Sequence, residues 1–362
     1  DNYISLKLAG DDAYLSEKMV GYPAELDEVY AESFEEQKKE WFSCVGDGIQ
    51  ECRNTWEHKK WNITDFPKFE LAITIDRPEL YYDFLQKDWT RFCHDYWKNN
   101  FLEHHTLSKK RVTRIYIGNQ FCHNLFPRKE LLFQVLEKAL ENNLAVTLAF
   151  SYIRNHLLEE IDELLQELEV WCQSREKEAG KDQEEIIVND WAMPILLQGK
   201  PHLKPVLGVL LNKRRKDVRL PYKHGIGNHV DSLAENNLNC GFYQDYLKNT
   251  FDIQRFEFES CGYKVTIPDG HHSLHLPFFQ TNTSQYCTLY AVCRYGDRGK
   301  QKLPENCPRY CNKKVFLYPK HLKMVGRYNS LFGYDEKILW DEKQLQDYLE
   351  QGIDRIVVNV SL

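Results

Sequence analysis

Eight short apolar, β-branched runs, separated by stretches long enough for helices, constrain this chain of 362 residues more than any other feature. The runs are Leu71–Ile75, Arg114–Gly118, Ala145–Phe150, Glu185–Asn189, Val206–Leu211, Arg255–Glu259, Leu274–Phe279 and Arg355–Val360. Between them the periodicity predicts helices over Lys129–Asn142, His156–Cys172, His229–Leu238 and Glu342–Gln351. In the second of these, Leu157, Ile161, Leu164, Leu165 and Leu168 recur at the i, i+4, i+7, i+8 spacing of a buried stripe. Parallel strands need a long crossover, usually a helix, and such crossovers are right-handed. The alternation therefore predicts an α/β fold, a (β/α) barrel of the TIM type, complete or imperfect.

Residues 1–65 lack this rhythm. Glu35 to Trp41 reads as a charged helical face, and Gly46 and Gly48 break the helical pattern beyond it. We expect a helical N-terminal extension over 1–65, packed on a barrel domain over 66–362. After Cys293 turns break the alternation, and 316–332 reads as short strands or a hairpin-like excursion.

Composition narrows the class. Hydrophobic residues make up 42% and aromatics 13%, enough for a packed core and too much for wholesale disorder. With 47 basic against 54 acidic residues the formal charge is −7, which argues against nonspecific grip on a nucleic-acid backbone as the main activity. No apolar run approaches the ~20 residues that span a bilayer. The opening residues, DNYISLKLAG, lack the basic-then-apolar pattern of a signal peptide. A soluble, cytoplasmic protein is the expectation.

In parallel βα folds reactive groups collect beyond the carboxyl ends of the strands. Cys122 follows the second run, Asp190 the fourth, Asn212 the fifth, and Ser260-Cys261 the sixth. Glu257 and Glu259 alternate with Phe256 and Phe258, so the carboxylates share one strand face. Glu259, near the strand end, is placed either to handle protons as a catalytic group or to form a structural ion pair in the lumen. Asp190 and Asn212 could bind substrate, with Asp190 a second catalytic candidate; capping the next element is their other reading. The basic run Lys213 to Lys216, with Arg219 and Lys223 beyond it, puts Arg214 and Arg215 where they would meet an anionic substrate, an acidic partner or RNA, unless it is only a solvated loop. His271, His272 and His275 run into a strand, so helical i, i+4 ligation fails. The chain lacks G-x-S-x-G, H-E-x-x-H and the phosphate-loop pattern, and Gly225-Ile226-Gly227 lacks the third glycine of a dinucleotide fingerprint.

The 11 cysteines, odd in number and scattered, do not look like a disulfide framework. Cys293, Cys307 and Cys311 stand out, with thirteen and then three residues between them. Pro304 and Pro308 stiffen the loop that carries them, lowering the entropy of holding ligands. Three near thiolates and one distant one suit an iron–sulfur cluster, with a four-thiolate zinc as the competitor. Cys122 is the best-placed distant ligand. Cys287 could compete with Cys293 or be a buried strand residue. Cys44, Cys52, Cys93, Cys172 and Cys240 read as small apolar core residues.

IYIGNQFC, VNDWAM, GVLLN, FEFES and the late YAVC…C…C, in that order, resemble the U32 peptidase-like family. The resemblance covers roughly Phe69 to Leu362 and is greatest to the iron–sulfur members of oxygen-independent ubiquinone biosynthesis. It implies a [4Fe-4S] cluster on Cys122, Cys293, Cys307 and Cys311, an acidic residue at Glu259, and a redox role in an oxygen-independent hydroxylation or a related modification of a small molecule, RNA or peptide. It also implies a heterodimer with a second such protein. The chain departs from the pattern in its longer N-terminal extension and in Ala192, where glycine is frequent. A hydrolase of the wider family and a binding protein with a structural zinc or cluster are the alternatives.

Overall fold

The computed structural model describes residues 33–43, 66–179, 184–218, 233–304, 306–318 and 322–360. Cys44, Cys52, Gly46, Gly48, Arg219, Lys223 and Gly225 to Gly227 lie outside the described residues. Eight parallel strands run in sequence order around a barrel: β1 (Glu70–Ile75), β2 (Arg114–Gly118), β3 (Ala145–Ala149), β4 (Glu184–Val188), β5 (Leu203–Leu207), β6 (Glu257–Glu259), β7 (His272–Leu276) and β12 (Ile353–Val358). The ladder is continuous from β5 through β1 and β12 to β6. A parallel bridge between Leu207 and Phe256, with the Leu207 amide donating to the Arg255 carbonyl at 3.0 Å, joins β5 to β6.

Helices cover the barrel. They are α2 (Pro78–Gln86), α3 (Trp89–Asn99), α4 (Lys129–Glu141), α5 (Leu158–Ala179), the single turn α6 (Met193–Leu196), α7 (Gly241–Phe251) and α9 (Glu342–Glu350). In α5 the expected stripe buries Leu165 and Leu168, while Ile161 and Leu164 pack half-buried against the core. Of the helix expected over His229–Leu238, residues 229–232 lie outside the described residues; Leu233 and Ala234 are helical, and the chain then leaves the helix for a short 3-10 turn, Asn237–Asn239. Among the described residues no helix is long and apolar enough to cross a membrane.

The excursion expected over 316–332 is an insertion between the seventh and eighth barrel strands. Pro277, which has no N–H to donate, ends β7. The chain then builds an antiparallel sheet from β8 (Phe278–Thr283), β9 (Phe316–Leu317), β10 (Met324–Arg327) and β11 (Ser330–Tyr334), in the order β8-β11-β10-β9. The helix α8 (Thr288–Tyr295) follows β8. From the N-terminal segment, α1 (Ser33–Ser43) packs on this sheet. Trp41 stacks on Tyr334 with centroids 5.1 Å apart, and the Tyr334 hydroxyl donates to the Trp41 carbonyl at 3.0 Å.

Alternation decides what fills the lumen. Leu71, Ile73, Ile115, Ile117, Ile356 and Val358 belong to the main core under the helices. Their neighbours Ala72, Tyr116, Ala149, Ile187, Val206 and Val357 form a second, smaller cluster inside the barrel. At the start of the strands the lumen is charged. Arg355 donates to both oxygens of Glu185 at 2.6 and 3.0 Å, to Glu70 at 2.6 Å and to the Tyr116 hydroxyl at 3.1 Å. Arg114 bonds Glu70 at 3.0 Å and Glu185 at 3.3 Å. One layer higher, Glu257 accepts from Tyr116 at 3.1 Å and pairs with His275 at 2.5 Å.

Burial alone would raise the Glu185 carboxyl, but Arg355 and Arg114 outweigh it and hold it at about 2. Its folded value lies below the ordinary 4.5, so the stability it contributes is present above that range and is lost as pH falls from 4.5 towards about 2. Replacing Arg355 with Met takes from the buried Glu185 its two-pronged partner, leaving it the longer contact to Arg114, and takes from the half-buried Glu70 one of its two arginines. Urea unfolding at pH 7 should show a loss of about 3–5 kcal/mol, and the variant should gain little further stability between pH 3 and pH 5.

Candidate functional site

The end of β2 is built to turn sharply. Gly118 has φ +109°, and a Cβ there would lie 2.5 Å from the Ala149 carbonyl oxygen. Only glycine tolerates both. Beyond it the Asn119 side chain gathers the turn, accepting from the amides of Phe121 and Cys122 at 2.9 Å each. This aims Cys122 into the rim of the barrel, where its Sγ meets the Asn124 side chain at 3.9 Å.

The inserted segment supplies three more thiols to the same place. Cys287 is the N-cap of α8, its Sγ accepting from the Tyr290 amide at 3.4 Å and donating to the Tyr328 carbonyl at 3.1 Å. Cys311 sits in the 3-10 turn Tyr310–Asn312, with its carbonyl bonded by Arg327 at 3.0 Å. Cys307 lies on the loop before that turn. Cys122, Cys287, Cys307 and Cys311 line one cavity, walled by Leu125, Leu289, Tyr290, Tyr310 and Tyr328. It holds about 350 Å³ of atom-free space counting its mouth, of which about 20 Å³ is wide enough for water.

Cys293, expected as a ligand, does not line this cavity. The stretch, for which a strand was one of two readings, is helical, and six residues at 3.6 per turn place Cys293 about a third of a turn away from Cys287. It is half-buried, with Lys314 as its charged neighbour. Cys287 occupies the place expected for it. The N-cap position, a polar-then-apolar start at Cys287-Thr288-Leu289, was the available signal.

Burial pushes the Cys122 thiol up to about 11 and the Cys287 thiol to about 12, and raises Cys311 further. Such thiols are poor nucleophiles. Among the described residues no group of three or more His, Cys, Asp or Glu side chains converges tightly enough to hold a single metal ion.

A second and larger cavity opens beside it at the barrel mouth, with about 880 Å³ wide enough for water. That is the size of a small-molecule site. Asn212, Arg214 and Arg215 all line it. Asn212 is buried; its amide donates to the Glu257 carbonyl at 3.1 Å and its oxygen has no partner. Arg214 is spent locally, bonding the Cys261 sulfur at 2.8 Å and the Glu259 carbonyl. Lys213 and Arg215 are exposed, and among the described residues neither side chain has an ion pair.

Asp190 lines the cavity but is a cap. One oxygen accepts from the Ala192 and Met193 amides at 2.9 and 3.1 Å, the other from the Ile153 amide. Both its oxygens accept backbone amides, which is the capping role that was its other reading. Glu259 faces the lumen, as the alternation required, and is held by Lys216 at 2.5 Å and the Gln280 amide at 2.8 Å. Sequence reasoning missed both partners, because Lys216 comes from the fifth loop and Gln280 from the insertion. The three nearby histidines diverge: His271 pairs with Asp354 at 3.0 Å, His272 stacks on Phe256, and His275 pairs with Glu257.

Between the two cavities stands Arg154. It bonds the Tyr152 hydroxyl at 3.4 Å and the Gln285 carbonyl, residues of the larger cavity, while its charge is felt at Cys122. Cys93 and Cys172 are wholly or partly buried as core residues, whereas Cys240 is exposed rather than buried.

These burials set reactivity. In metal-free protein at pH 8, a maleimide should label Cys240 at least ~100-fold faster than Cys122, Cys287 or Cys311, read by peptide mass spectrometry. No family model, curated protein or solved structure matches the chain, so its sequence and geometry carry the functional reading.

Proposed function

We propose that Cys122, Cys287, Cys307 and Cys311 hold a [4Fe-4S] cluster, and that the protein is a redox member of the U32-like group. The observation that carries this reading is four thiols from two distant parts of the chain lining one cavity. An all-thiol donor set selects iron–sulfur centres, zinc or copper. Of these, the resemblance favours a [4Fe-4S] cluster, with a four-thiolate zinc as the competitor. All nine described cysteines are free, as a reducing, cytoplasmic setting would keep them.

When bound, such a cluster, with all four irons capped by cysteine, would supply single-electron transfer. The chain's own residues divide the remaining tasks. Asn212, with its unpartnered oxygen, and the exposed Lys213 and Arg215 bind and orient a substrate in the larger cavity. Glu259, bonded by Lys216 and by the Gln280 amide, ties the fifth loop to the insertion at the lumen side of that cavity. Arg154 offsets negative charge beside Cys122 and separates the two cavities. We infer an oxygen-independent hydroxylation or a related redox modification, with a second U32-like protein as partner by resemblance.

Iron and acid-labile sulfide analysis of protein purified without oxygen tests this directly. About four iron atoms per chain are expected, retained in Cys293→Ala and falling below about one in Cys287→Ala. Equal loading of the two variants, or retention in Cys287→Ala with loss in Cys293→Ala, overturns the ligand set.

A further inference from the structure

The outer wall of the thiol cavity carries a concentration of positive charge that the chain as a whole does not share. Against a formal charge of −7 overall, Arg294 on α8, Arg298, Lys300 and Lys302 on the loop leading to Cys307, and Lys313 just after the Cys311 turn are exposed. Asp297 is the exposed acid among them, and Glu305 the other acid in that stretch of sequence. These are the elements that bear Cys287, Cys307 and Cys311. Tyr290 and Tyr310, both lining the cavity and both partly exposed, pack on each other at 6.4 Å. Tyr290 also meets Tyr295 at 5.9 Å, over which Lys300 lies at 6.0 Å. Tyr290 and Tyr310 are thus the cavity-lining residues that reach this surface.

We infer that this face docks a small acidic electron-transfer protein of the ferredoxin type, which supplies electrons to the cluster. The inference rests on the cluster reading. Complementary charge steers diffusional encounter, and redox partners form the smallest specific interfaces. A patch of five cations on these short elements suits such a transient contact. The rings pack on one another rather than splaying outward as base-stacking platforms would, and the net negative charge opposes a nucleic-acid backbone. In the transfer, the donor's iron–sulfur centre loses one electron and the [4Fe-4S] cluster gains it; no bond forms or breaks.

The experiment is calorimetric titration with an acidic plant-type ferredoxin, using full-length protein purified without oxygen. Binding is expected at low salt, weakening at least ~10-fold between 50 and 200 mM salt, and at least ~10-fold at low salt in R298E/K300E/K302E. Iron and sulfide content should be unchanged in that variant. Iron-loaded protein that ignores ferredoxin, or a triple variant that binds it as the wild type does, overturns the docking surface alone. Salt-sensitive binding of polyuridylate to these residues without ferredoxin binding also overturns it. Protein devoid of iron overturns the cluster and this inference with it.

Discussion

The guanidinium of Arg355 is the constraint around which the barrel is organised. Lying on the last strand, it ties Glu70 of the first, Glu185 of the fourth and Tyr116 of the second into one buried network. Closing a parallel sheet forces alternate side chains inward, and here the inward positions at the strand starts are ionic. A half-satisfied network of this kind would be worse than an apolar plug, so each member needs the others. The consequence is functional as well as structural. Charge fills the lower lumen, so the space for ligands lies at the carboxyl ends of the strands.

At that end the fold does two separate things. The regular βα loops after β4 and β5 enclose a cavity of small-molecule size, edged by cations and by the buried oxygen of Asn212. The insertion between β7 and β12 brings three thiols round to a fourth that the second strand supplies. Lys216 and Gln280 meet at Glu259, so the insertion also closes the larger cavity on its far side. The two spaces are neighbours because both depend on where β8 leaves the barrel.

Much of this was legible in the sequence. The eight apolar runs are the eight barrel strands, since buried parallel strands read as continuous apolar stretches. The fifth run was displaced: β5 is Leu203–Leu207, overlapping the expected Val206–Leu211 only at its end, and it contains Pro205, a residue rare inside strands. The barrel accepts that proline because β6 meets β5 only at Leu207. The next apolar residues, beyond Gly208, are a turn; a Cβ at Gly208 would lie 2.1 Å from the Asn189 side chain. The position of Glu259 inside the lumen followed from simple alternation. The thiol set did not follow from spacing. β-Branched and aromatic residues around Cys287 suggested a strand, tertiary context made a helix, and the change of period moved Cys293 out of the cavity and Cys287 into it. Likewise Asp190 stands at a strand end as a catalytic group would, and only the three amides around it show a cap.

The central claim is that four sulfurs, from residues 122, 287, 307 and 311, grip one iron–sulfur centre. Anomalous diffraction at the iron edge from crystals grown without oxygen addresses it most directly. The account predicts a compact group of iron atoms bonded to those four sulfurs, with the thiol of Cys293 clear of it. A zinc ion, iron bonded to Cys293 in place of Cys287, or four bare thiols in fully metallated growth conditions would contradict it.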